Sequence, residues 1–242
     1  MPLYAVNRMD RPMHDTDQAE NPFNAVPFVP LILVLIIAGV ELTLSAASNG
    51  IIGGAQGVGW RSATFGELQF YPEVMTEVFE RGRGSFDYYK RFVTYPFVHA
   101  NFTHALWACV LLLALGKFVG EIFSPIAFLI LFFVCSIFGA GIYGVLSWQN
   151  TQLIGAYPGV YGLIGAYTYL MWLTLGRLGD NQLKAFTLIG ILLGILLVYS
   201  MIFGSSPTWI AEVAGFLVGL FIAPLLAPGG WAAFLNRIRQ RE

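Results

Sequence analysis

The sequence predicts an all-α polytopic membrane protein: a six-transmembrane-helix bundle with a long, partly membrane-embedded first loop. Three observations carry that expectation. Apolar residues make up 57% of the 242 residues and charged ones only 11%, against about 25% charged in an ordinary soluble domain. The charges are also segregated, because of 13 basic and 14 acidic groups only Glu41, Lys117, Glu121 and Glu212 fall inside the apolar bulk. Finally, the bulk divides into six runs, each long enough to cross a hydrocarbon core, which needs about 20 helical residues. A net charge of −1 supplies no basic field, so no nucleic-acid partner is expected. The high apolar and aromatic content excludes a disordered chain.

Taken in order, residues 1–25 form a polar N-tail, residues 26–227 the membrane domain and residues 228–242 a basic amphipathic C-tail. A polar segment ahead of the first run argues for a retained anchor over a cleaved secretory signal. The runs cover about 26–47, 102–121, 124–147, 155–176, 184–204 and 207–227. The last five follow one another so closely that short turns must join them and make them neighbours. The first loop, about 48–101, is the long connection. Within it Pro72–Arg81 starts on a proline and sets Val74, Val78 and Phe79 against acids on the other side. It reads as an interfacial amphipathic helix or as a segment packed on top of the bundle. The C-tail stretch Trp231–Arg241 reads as a short helix lying on anionic membrane lipids. Arg8, Arg11, Lys117, Arg177, Lys184, Arg237, Arg239 and Arg241 all fall on one side of a six-span arrangement. By the positive-inside rule both termini are cytoplasmic, in the inner (plasma) membrane if the cell is bacterial.

An ionisable group at the bilayer centre costs about 2.5–3.5 kcal/mol on insertion scales, so each one in a span needs a reason. Lys117 and Glu121 sit one turn apart near a span end and read as a snorkelling pair. Glu41 lies near the end of its own span. Glu212 and His104 are harder to dismiss. His99 and His104 are five residues apart, which does not suit a metal pair on one helix, and no Cys or carboxylate completes a set beside them. Neither metal nor cofactor is expected, and the two histidines read as hydrogen-bond donors into a wet intramembrane pocket. Cys109 and Cys135, both inside apolar runs, read as small hydrophobes.

Five segments in order resemble the rhomboid family of intramembrane serine proteases. They are Trp60-Arg61 in the first loop, Phe97-Val98-His99 followed by His104, Gly116 in the second span, Gly155-Ala156-Tyr157-Pro158-Gly159-Val160-Tyr161-Gly162, and Ala211-Glu212 followed by Gly215 and Gly219. The resemblance implies the rhomboid-like six-span fold. It also implies that Tyr157 stands where the family carries its catalytic serine, Pro158 where it carries the following glycine, and Glu212 where it carries the catalytic histidine. Ala108 stands in place of an asparagine that helps stabilise the oxyanion. A serine hydroxyl needs an adjacent base to become a nucleophile, and a phenol at that position is bulkier and places its oxygen away from the serine position, in the space where a substrate carbonyl would lie.

The resemblance therefore implies a catalytically degenerate member: a pseudoprotease, not an enzyme, with His99, His104, Ala108, Gly155, Pro158 and Tyr161 as the remaining cleft. Its expected partners are membrane lipids and either transmembrane client proteins or a membrane-bound protease or complex, in quality control, assembly or trafficking. The expected role of the former dyad is a clasp, with the Tyr157 phenol hydrogen-bonded to Glu212. One alternative is an active protease with a displaced nucleophile among Ser136, Ser147, Ser200, Ser205 and Ser206. A transporter or channel is another, against which the spans show no internal repeat and no ion path.

Overall fold

The computed structural model describes residues 26–203 and 206–230, so the N-tail, Ser205 and the expected C-tail helix from Trp231 onward lie outside the described residues. The first long helix, α1 (Phe28–Ser48), turns Val29, Leu33, Ile37 and Leu44 inward together with Glu41. The loop that follows contains α2 (Gly54–Gly57), α3 (Trp60–Leu68), and α4 (Glu73–Met75) running into a π-turn, Thr76–Glu80. It closes with α5 (Phe86–Thr94) and a 3₁₀ turn, Tyr95–Phe97. Next come α6 (Phe102–Gly120) and α7 (Pro125–Leu146). Asn101 caps α6 by accepting from the His104 N–H at 2.9 Å, and Ser124 caps α7 by accepting from the Ala127 N–H at 3.3 Å. The last three helices are α8 (Tyr157–Leu178), α9 (Thr187–Phe203) and α10 (Trp209–Leu226).

Among the described residues, α1, α6, α7 and α10 are long and apolar enough to cross a membrane. With 22 residues α8 is as long as α7 but richer in glycine and tyrosine. It packs against α6, α7 and α10 and is buried without interruption from Pro158 to Ala166. A helix walled in by protein has no need of lipid-soluble side chains, which explains its weaker apolar signal. The opposite holds for α9, which is apolar along its length and leaves Ile191, Ile195 and Ile202 exposed, as a lipid-facing helix does.

Glycine decides how closely α8 and α10 approach. A Cβ at Gly215 would run into the Pro158 carbonyl, one at Gly219 into the Gly162 carbonyl, and one at Gly165 into the Phe216 carbonyl. The backbones are thus in direct contact, the small-residue packing expected where both partners are already in lipid. Gly116 does the same for α6 against α1, since a Cβ there would lie 2.6 Å from that of Pro30.

The first loop is folded onto the bundle. Phe70 and Leu153 form a two-way backbone bridge with N···O distances of 3.1 and 2.7 Å. Arg91 is buried and donates to the Gln69 and Gly66 carbonyls at 2.8 and 2.7 Å. Val74 and Val78 are buried as expected, packed with Phe70, Tyr95 and Tyr143. Phe79 departs from the expected face and is 69% exposed: it lies in the π-turn Thr76–Glu80, whose wider winding departs from the 3.6-residue period on which that face was read.

Candidate functional site

The site lies where the first turns of α6, α8 and α10 meet the end of α1. Its foundation is polar. Arg61, in the first turn of α3, donates to both carboxylate oxygens of Glu41 at 2.7 and 3.0 Å and to the Ser45 hydroxyl at 3.1 Å. It also donates to the His99 carbonyl at 2.8 Å. One guanidinium thus ties α1, the first loop and the turn before α6 together, and Glu41 is only 2% exposed.

His99 carries that tie onward. Its Nε2 accepts from the Ala156 N–H at 3.3 Å, so the neutral ring keeps its proton on Nδ1, which faces the Phe97 backbone without a regular hydrogen bond. Burial pulls the imidazole down to about 4 from its ordinary 6.5, and the nearby His104 adds to the effect. Next to Ala156, Gly155 takes φ +94°, a left-handed conformation that glycine adopts without strain. A Cβ there would also sit 3.0 Å from the His104 ring. The Gly155 N–H donates to the Tyr95 carbonyl at 3.0 Å, which fixes the start of α8 against the first loop.

Tyr157 opens α8 and stacks on His104, with ring centroids 4.8 Å apart and planes 21° from parallel. Its hydroxyl donates to the His104 carbonyl at 3.0 Å. His104 in turn accepts from the Ala100 N–H on Nδ1 at 3.3 Å, which leaves its proton on Nε2. Beside this stack is a cavity of about 220 Å³, bordered by His104, Tyr157, Thr151, Gln152, Thr208 and Glu212, with Pro158 in its wall. Glu212, in the first turn of α10, faces the Tyr161 hydroxyl as its side-chain hydrogen-bond partner.

The expected clasp is therefore corrected. Tyr157 and Glu212 border the same cavity, but the Tyr157 phenol swings to α6, and the tyrosine one turn further along α8 is the one that meets Glu212. Residues four apart share a helix face, so either tyrosine had the direction, and the backbone of α6 decided between them. His99 is corrected as well: it is 1% exposed and holds the backbone beneath the cavity instead of donating into it. Ala108 and Tyr161 are buried, and Gly155 shapes the wall without lining the space. Trp60 stays 40% exposed while its neighbour Arg61 does the tying. Sequence reasoning missed Thr151, Gln152 and Thr208. They lie in connections with no periodicity, and the only available signal was that two short polar stretches abut the spans bearing Tyr157 and Glu212.

Comparison with protein-family models matches the rhomboid domain over residues 87–229. That is more than half of the chain, and it takes in α5 through α10 and every residue that borders the cavity. The chain belongs to the rhomboid family. As a rhomboid it is an integral membrane protein, all-helical among the described residues, and its role is exercised in the membrane. No curated protein matches the chain. Trp60 and Arg61 precede the matched segment, and Arg61 is the side chain that links that unmatched part of the rhomboid loop to Glu41 and His99.

Proposed function

We propose that this rhomboid is a pseudoprotease: a non-catalytic membrane module that binds transmembrane segments of other proteins, with Tyr157 and Glu212 at the positions of the family's serine and histidine. One observation carries the reading. Both imidazoles at the site accept backbone N–H groups, Ala156 on His99 and Ala100 on His104, so neither is placed as the base of a hydroxyl nucleophile. Two of the serines weighed as displaced nucleophiles are committed elsewhere. Ser136 donates to the Phe132 carbonyl at 2.8 Å and Ser147 to the Gln149 carbonyl at 2.7 Å. A binding role uses what is left: a small polar cavity beside the first turns of three helices. The clients are membrane-protein segments in quality control, assembly or trafficking, and both termini are cytoplasmic.

The test uses the full chain in lipid nanodiscs with a fluorescent single-span peptide and a fluorophosphonate probe. Saturable binding of intact peptide, with no product and no covalent labelling, is the expected result. Labelling that the peptide competes away overturns the reading.

A further inference from the structure

Glu41 and Glu212 are carboxylates on membrane helices, yet among the described residues only Glu41 has a basic partner. Among the described residues no Lys or Arg borders the Glu212 cavity, and the guanidinium beneath the site, Arg61, is spent on Glu41, Ser45 and the His99 carbonyl. The rest of the lining is rich in acceptors. Tyr157 gives its proton to the His104 carbonyl, and the Thr151 hydroxyl gives its proton to Gln149 Oε1 at 3.3 Å, so both oxygens keep lone pairs for another donor. Among the described residues Glu212 meets the Tyr161 hydroxyl, and a carboxylate has room for about four hydrogen bonds. Against these acceptors, the side-chain N–H donors among the described residues that border the space are His104 Nε2–H and the Gln152 amide. The helix N-termini around the cavity carry only partial positive charge, whereas Glu212 is the one full charge among the described residues that border it, so a group with several N–H donors and a positive charge finds its complement in that carboxylate. The volume of about 220 Å³ equals roughly seven water shares, enough for an ammonium with a few methylenes.

We infer that this cavity is a socket for an alkylammonium group, supplied by a lysine near the end of a client's membrane span, with Glu212 as its counter-ion and the Tyr157 and Thr151 oxygens as further acceptors. The inference rests on the client-binding reading and names the chemistry that selects the client. Glu212 is the fourth residue of α10, so the matching lysine belongs in the terminal turn of the client helix.

The experiment measures binding of single-span Leu-rich peptides to the full chain in nanodiscs, with lysine or norleucine in the terminal turn. The lysine peptide is expected to bind about tenfold more tightly, as one charge-assisted contact allows. In Glu212→Gln the ratio of lysine to norleucine affinity is expected to fall to within about twofold. Should Glu212→Gln fail to fold, Thr151→Val serves; loss of a neutral acceptor is expected to cut the preference about threefold. Equal binding of the two peptides to the wild-type chain overturns the socket and leaves the client reading standing. Absence of saturable binding by either peptide overturns the client reading itself. n-Butylammonium chloride added alone separates the sources: thermal stabilisation by it, without a lysine preference among the peptides, overturns the client source in favour of a soluble amine.

Discussion

Glu41 and Glu212 lie at the same end of the bundle in opposite surroundings. Glu41 is enclosed, with two bonds from Arg61 and one from Ser45 at 2.7 Å. Glu212 borders a cavity and meets a neutral phenol. A buried carboxylate with its valence filled holds a fold together, and its partner cannot be removed without leaving a charge in an apolar place. A carboxylate that faces open space is free to meet something from outside. The first region is the frame of the molecule and the second is its socket.

The sharpest way to break that contrast is Arg61→Ala. It strands Glu41 and frees the His99 carbonyl, and a loss of about 3–5 kcal/mol is expected in denaturant or thermal unfolding in detergent. Glu41→Gln should cost clearly less because the Arg61 cation it leaves behind is 17% exposed and keeps the Ser45 hydroxyl and the His99 carbonyl as acceptors; equal losses would mean that the charge pair itself, and not the burial of the lone carboxylate, sets the cost.

Acid provides a second, somewhat smaller perturbation of the frame. The folded His99 imidazole titrates near 4 and the unfolded one near 6.5. Between those values the unfolded chain binds the extra proton, so stability rises with pH there and is lost as pH falls from 6.5 toward 4. The loss approaches about 3 kcal/mol at the acid end. His99→Gln should flatten that part of the pH–stability curve, and an unchanged slope would assign the acid sensitivity to another group.

The socket should tolerate change better. Tyr157→Phe deletes the hydrogen bond to the His104 carbonyl but keeps the ring stack, for a cost of about 1 kcal/mol. Glu212→Gln keeps an acceptor for Tyr161 and should cost less than about 1 kcal/mol. A loss at Glu212 as large as that at Arg61 would erase the distinction between frame and socket.

Much of the fold was legible because lipid solubility is a property of contiguous residues. The expected span at 124–147 is α7, Pro125–Leu146, and that at 207–227 is α10, Trp209–Leu226. Gly215 and Gly219 were legible for a related reason: their spacing keeps them on one helix face, and only the partner helix had to be found. Side-chain pairings were less legible. Tyr157 and Tyr161 have equal claims on Glu212 in the sequence, and His99 reads as a pocket residue until Ala156 is seen to donate to it from 57 positions away.

By itself the sequence determined a membrane-embedded helical bundle, a long first loop and the glycines that bring two helices together, because burial and chain-wide composition are set by local pattern. Only the tertiary structure decided which acid is neutralised and which faces a cavity. A hydrogen bond depends on directions and distances fixed by every helix around it, and Arg61 reaches Glu41 across 20 residues of chain only once α1 and α3 have packed.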